Sequence, residues 1–373
     1  MGMGVYVSFS FRVLTNAEAM NAVESLGNII RHRKATIVVP LKDSEYQKDS
    51  KHQIVTVPVI SGEAIRHSYQ LELARLAKVR GINVCKLCEQ GEFVKHGIPD
   101  LIEKLEKDLF DNVLNNSSVS LRDKEYAIIE SCAVEDIAGF LVPMRNVQIK
   151  RTSKVEVSYM IPAIGDLKYG LDTQFHVRHA PQVQQALGQQ QGREAQPQSI
   201  YYIESASAIY TFTVNIDLTG IGQVSNCIYR EGNDIKIDCN KALDSRERVR
   251  RVELALDALA ELVKNGPIGG HHSSYSPHWM LGSAVALITR PIPTVAYPGH
   301  RTDFIAKTRE LAEGNKALLG GNYAYELVAF KDDKVDPGVD VQGISAVKGS
   351  IPEFFMAVKE IALKWVREEL GVK

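Results

Sequence analysis

Apolar and polar residues alternate strictly at the start of the chain, with Val5, Val7, Phe9, Phe11 and Val13 on one side and Tyr6, Ser8, Ser10 and Arg12 on the other. Strand side chains point to opposite faces in turn, so this stretch predicts a half-buried first strand with one wet face. Residues 16–34 are less regular, and residues 35–39 and 53–60 read as two strands of a hairpin across a polar loop. Ser61 then stands as the N-cap of a helix with the stripe Ile65, Ser68, Tyr69, Leu73 and Leu76, closed by Gly81.

From 91 to 134 the pattern turns polar, with a charged helical piece at 101–110, and predicts an inserted helical subdomain. Residues 154–161 and 172–179 alternate as strands, joined at 162–170 by a hairpin tip rich in turn residues. The stretch 181–199 holds eight Gln and too little apolar content to pack, which predicts a mobile loop. A further alternating strand covers 208–218. The next helix opens at Asp244, with Glu247 at the capping-box position and a stripe of Val249, Val252, Leu256, Leu259 and Val263. Residues 279–289 form a continuous apolar strand, as a sheet centre requires. A last helix pairs Ser350 with Glu353 and carries Phe355, Val358, Ile361 and Trp365 on one side. The order predicts an α+β chain, a βαββαβ ferredoxin-like core with large insertions.

A chain of 373 residues with 45% hydrophobic composition can bury a sizeable core. Its net charge of -1 means that any nucleic-acid partner must be held by local patches rather than by the overall field. No apolar run approaches the roughly 18 residues of a spanning helix, and the first residues carry no leader pattern. A cytosolic, non-membrane protein is therefore expected.

Five cysteines are too few and too scattered for a secreted disulfide framework. Cys85-Lys-Leu-Cys88 is half of a zinc or redox motif, but with no second Cys pair the expectation is no metal and no cofactor. Cys227 and Cys239 flank a hairpin turn that would bring them opposite each other, an arrangement compatible with a bridge in a hyperthermophile's cytosol and not expected to form one elsewhere. Walker A, GxGxxG, G-x-S-x-G and H-E-x-x-H motifs are all missing.

The polar features point to anions. Alternation puts Gln174, His176 and Arg178 on one strand face, a set that suits phosphate, sugar and base contacts, the plainer alternative being an ordinary solvated face. It also puts His179 opposite His176, which removes that pair as metal ligands. The start of the helix at Ser61-Gly62 is a natural anion site. Basic clusters occur at 31–34, at Arg145, Lys150, Arg151 and Lys154, and at Arg246, Arg248, Arg250 and Arg251. The loop Gly269 to His278 offers glycine backbone donors or histidine ligands, and a nucleic-acid loop is preferred because no Cys, Asp or Glu stands near.

Several phrases recur together in one order: Asn21-Ala-Val-Glu-Ser-Leu-Gly-Asn28 with Arg31-His-Arg33, Val57-Pro-Val-Ile-Ser-Gly-Glu63, Arg151-Thr-Ser-Lys154 running into Tyr159-Met-Ile-Pro162, Gln174-Phe-His-Val-Arg178, and Gly269-Gly270. The ordered set, from about Phe9 to about Trp279, resembles the backbone subunit of archaeal type I-A CRISPR interference complexes, the DevR-like CRISPR-associated autoregulators. That resemblance implies a modified RNA-recognition-motif core (1–90, 135–160 and 200–373), a helical lobe at 91–134, and a protruding thumb hairpin with its loop at 161–199.

The resemblance further implies a non-enzymatic subunit that binds guide (cr)RNA, polymerises along it with other Cascade subunits, and supports target DNA recognition. Asn21 and His176 match positions associated with RNA binding. Arg31, His32, Ser61, Gly62, Arg151, Arg178 and Gly270 are expected to touch the RNA backbone, beside Gln174. Where relatives carry Lys or Arg after the paired glycines, this chain has His271-His272. Two alternatives stay open: a metal-independent ribonuclease with His176 or His32 as base, and a transcriptional autoregulator, for which no helix-turn-helix pattern speaks.

Overall fold

Alternation carries the first strand, β1 (Tyr6–Glu18), further than Val13, to the point where Ala17 adopts a positive φ of 53° and the ladder slips. In this computed structural model, which describes residues 4–40, 51–144, 147–165, 167–179, 198–231, 234–266 and 276–372, the irregular stretch that follows is a small hairpin. It consists of β2 (Ala22–Leu26) and β3 (Ile29–His32), turned at Gly27. The expected hairpin is β4 (Lys34–Pro40) with β5 (His52–Pro58). Helix α1 (Gly62–Arg80) is capped as read: Ser61 Oγ accepts from Ala64 N, and Gly81 takes the left-handed conformation.

The helical lobe consists of α2 (Lys86–Glu89), α3 (Pro99–Leu105), α4 (Lys107–Leu109), α5 (Leu121–Ser131) and α6 (Ala133–Ala138), followed by the hairpin β6 (Phe140–Met144) and β7 (Val147–Arg151). It has a small core of its own, in which Ile102, Phe110 and Leu114 meet Ile128, Phe140 and Ile149. Next come β8 (Val155–Val157), β9 (Ile161–Pro162), β10 (Tyr169–His179), β11 (Gln198–Asp217) and the hairpin β12 (Ile228–Glu231) with β13 (Asp234–Ile237), whose base is closed by a Cys227–Cys239 disulfide. The chain ends with α7 (Ser245–Asn265), β14 (His278–Arg290), α8 (Phe304–Leu319), β15 (Ala324–Lys331), β16 (Val347–Lys348) and α9 (Ile351–Leu370).

The result is an α+β protein with one large mixed sheet. β14, β1, β11 and β8 are successive antiparallel neighbours, and α1 and α7 intervene between β1 and β8 and between β11 and β14. The two helices touch, with Tyr69 hydroxyl donating to Ala255 carbonyl at 3.0 Å. Phe9 and Phe11 are core, as their shared face with the valines required, and pack against Phe212, Phe354 and Phe355.

Three expectations are corrected. The polar face of β1 is not wet: Ser8, Ser10 and Arg12 are buried because later segments cover them, with matched polar groups at Ser8 and Arg12. Arg12 pairs with Asp336 through two bonds of 2.7 and 3.0 Å and donates to Gly299 carbonyl, while Ser8 Oγ accepts from Ala296 N. Residues 154–161 and 172–179 do not pair with each other. Instead β8, β9 and β10 line up in succession along one edge of β11, whose other edge takes β1 and then β3. The strand β11 also starts ten residues before the expected 208, taking in the end of the Gln-rich stretch. The rest of that stretch, Arg145 and the loop containing Gly270 lie outside the described residues.

Candidate nucleic-acid interface

The expected contact residues fall into separate places. Asn21, His32, Ser61 and Gly62 meet where β3, β5 and the start of α1 converge, and all four are buried. Asn21 Oδ1 accepts from Ser61 N at 2.8 Å, while Asn21 carbonyl accepts from Arg33 N. Gly62 sits against β8: a Cβ there would lie 2.5 Å from Val157 carbonyl oxygen. The helix start is thus filled by protein, with Ser61 N and Ala64 N already bonded. The anion site expected at Ser61-Gly62 gives way to a packing junction.

His32 is held at both nitrogens, Nδ1 on Arg33 carbonyl at 2.8 Å and Nε2 on Glu18 Oε1 at 2.7 Å. Both partners are acceptors, so the ring donates twice when protonated. Burial pushes its pKa down, but the hydrogen bond and charge of Glu18 outweigh that, and the net shift is upward. Glu18 also accepts from Tyr210 hydroxyl at 2.9 Å, and burial with the Glu18 charge raises that phenol well above its ordinary value. An imidazole so engaged has both ring nitrogens taken up by protein acceptors.

Arg151 is likewise enclosed. Its side chain is fully buried and spends its donors on Glu125, Asp136 and the carbonyls of Asp136, Gly220 and Gln223. Asp136 bonds in turn to Arg251, which also reaches Ile129 and Glu130 carbonyls. Arg248 donates to Ile221 and Thr219 carbonyls. From the second and third basic clusters, Arg151, Arg248 and Arg251 are thus internal and stitch the lobe, the 219–225 turn and α7 together, while Lys150, Arg246 and Arg250 stay exposed.

The arm made by β10 and the first half of β11 carries a further, half-buried group of the expected residues. His176 stacks on Tyr201 with ring centroids 5.4 Å apart and planes 21° off parallel, and Gln174 stands two residues away on the same face, opposite Ile203. On the other face Phe175, 55% exposed, meets Tyr202 edge-on at 5.5 Å. Exposed Arg31 lies on β3 beside this second face, next to Ile30, which is in register with Ile203. Arg178 continues β10, with only its backbone described. Sequence reading missed Tyr201, although the aromatic and β-branched run 200–203 was a strand signal.

An α+β protein with a helix-backed mixed sheet and a two-faced aromatic arm is the class defined so far. The chain belongs to the CRISPR-associated negative auto-regulator DevR/Csa2 family, whose model matches residues 9–309. It is 32% identical over 348 residues to a CRISPR-associated aCascade subunit Cas7/Csa2 of Saccharolobus solfataricus, covering 92% of this chain and 97% of that protein. A second protein of that organism, CRISPR-associated protein Cas7/Csa2, is 36% identical over 242 residues, 65% of this chain and 70% of its own length. Among solved structures, a chain of a CRISPR RNA-guided surveillance complex aligns with TM-score 0.48 and 11% identity, over 96% of this chain and 99% of that one. Among the described residues no helix is long and apolar enough to cross a membrane.

Proposed function

We propose that this chain is a non-enzymatic Cascade backbone subunit that binds guide RNA without regard to sequence and assembles head-to-tail along it. The observation that carries the reading is the family match, which spans most of the chain. In this reading β1, α1, β8, β11, α7 and β14 are the modified RNA-recognition core, and the β10–β11 arm is the thumb. The face holding Gln174, His176 and Tyr201 takes RNA, since imidazole and phenol rings stack on bases of any identity. The face holding the exposed Phe175 meets the next copy, a heterologous contact of the kind that propagates into an open helix. Target DNA is then read by base pairing to the guide, beside the other Cascade subunits.

Titrating the purified chain into labelled guide RNA at several salt concentrations tests this. The logarithm of the affinity should fall linearly with log salt, by a slope of about 0.7 per phosphate neutralised, and filaments should appear by electron microscopy only with RNA. A chain that stays monomeric with RNA and binds without salt dependence would refute the proposal.

A further inference from the structure

Three of the five cysteines, Cys85, Cys88 and Cys132, are free and buried, and the fold gathers them at Glu135. The three sulfurs and a Glu135 carboxylate oxygen all lie within 4.8 Å of one another. In the chain these residues form two pairs of equal spacing, Cys85-Lys-Leu-Cys88 and Cys132-Ala-Val-Glu135. The second pair that sequence reading found missing is present, with a carboxylate in its last place.

Both pairs occupy the same positions of a helical turn. Cys85 is the N-cap of α2 with Cys88 third inside it, and Cys132 is the N-cap of α6 with Glu135 third inside it. Those two positions lie on one side of the first turn, so each turn presents two donor atoms in a single direction. Neither N-cap cysteine spends its side chain on capping. A hydrogen bond of 2.8 Å from Ala133 N to Asn83 carbonyl sets the two turns against each other.

The spacing fits a small tetrahedral ion. With metal–sulfur and metal–oxygen bonds of about 2.3 and 2.0 Å, sulfur and oxygen ligands stand about 3.5 Å apart. Cys85 and Cys88 Sγ lie 3.4 and 3.8 Å from Glu135 Oε1. A second observation is independent of the sulfurs: Glu135 is wholly buried, and its Oε2 has no hydrogen-bond partner among the described residues. An unpartnered buried carboxylate oxygen is costly, and a cation removes the cost. His96 holds the carboxylate in place, with Nδ1 2.6 Å from Oε1, and is itself tied to Glu106.

We propose that Cys85, Cys88, Cys132 and Glu135 bind one structural zinc ion. Three thiolates favour zinc over magnesium or calcium, and four protein ligands close the shell, which marks a structural rather than a catalytic site. Binding releases the thiol protons and clamps the 83–96 segment onto α6. The first and last helices of the lobe are thereby fastened to each other.

Elemental analysis of the full chain, prepared without a metal-affinity tag, should find about one zinc per chain. Exchange into cobalt should give a thiolate-to-cobalt band in the near ultraviolet and strong tetrahedral absorption in the red. Cys132→Ser should lose the band. Because that variant can fail to fold, His96→Gln provides the second measurement: it should keep one zinc while its affinity falls about 10- to 100-fold in chelator competition. Removing zinc from the unaltered chain with a chelator should lower its melting temperature, and returning zinc should restore it. A chain refolded with zinc that holds none and gives no cobalt band overturns the proposal, as does metal that persists in folded Cys132→Ser or a Cys85–Cys88 disulfide in the thiol count.

Discussion

Removing the guanidinium of Arg151 should unfold this protein before it disturbs any ligand. The side chain makes five contacts of 2.6–3.1 Å, two to carboxylates and three to carbonyls. In Arg151→Ala the carboxylates are not abandoned: Asp136 keeps Arg251 and Gly222 N, and Glu125 keeps Ser225 N and Asn226. The carbonyls of Asp136, Gly220 and Gln223 lose this donor, and a cavity opens.

Breaking a buried charged network in this way costs about 3–5 kcal/mol. At about 2.1 cal/mol/K per residue, the unfolding entropy of the 373 residues is about 0.8 kcal/mol/K, so the melting temperature should drop by about 4–6 °C. Arg151→Lys keeps the charge but not the fork, and should recover only part of the loss. Thermal unfolding followed by circular dichroism reads the shift, and RNA titration well below the melting point should find unchanged affinity. A variant that melts within about 1 °C of its parent yet binds RNA more weakly would show that Arg151 faces solvent and that the internal network is misassigned.

Asn21→Ala, which leaves Ser61 N unpaired, should cost about 1–3 kcal/mol in denaturant titration, whereas a loss of RNA affinity at equal stability would restore it as a contact. Gly62→Ala should destabilise by about 1–3 kcal/mol, because its methyl collides with Val157 carbonyl; a higher melting temperature, as at an open helix start, would refute that collision. His32 carries a raised pKa, so its pairing with Glu18 stabilises fully below the ordinary histidine value and is lost as pH rises through the folded value. Melting temperature measured upward from pH 6 should therefore fall more in the parent than in His32→Gln, and parallel curves would exclude the pair. His176→Ala should weaken RNA binding by about 1–3 kcal/mol of lost stacking at unchanged stability, whereas Arg31→Ala, on the opposite face, should leave the salt slope of RNA binding unchanged; an unaltered His176→Ala titration would remove the arm from the interface.

The helices and the central strands were legible because they obey local rules. Ser61, Gly81 and Ser350 cap where their chemistry demands, and the shared face of Val5, Phe9 and Val13 had to be core. Pairing was not legible, since alternation reveals that a strand exists and not which neighbour it takes: residues 172–179 chose β11 over the nearer 154–161. Burial of charge was hidden for a related reason. Arg12, Arg151 and Arg251 look solvated in the sequence because their partners stand far off: Asp336 for Arg12 and Asp136 for Arg251. Of the expected contact residues, Arg31 stays exposed and Gln174 and His176 are half-buried, while Asn21, His32, Ser61 and Arg151 are buried and bonded to protein.

Strand β11 runs for 20 residues with neither glycine nor proline. At about 3.4 Å per residue it spans about 65 Å, while a compact chain of this length has a radius of gyration of only about 21 Å. Its first ten residues belong to the arm, and the next ten lie between β1 on one edge and β8 and β9 on the other. No flexible joint separates the two halves. A pull on the arm is therefore transmitted along the strand axis into the middle of the sheet, where it loads the β1 ladder in shear, all bonds together, rather than peeling them one at a time.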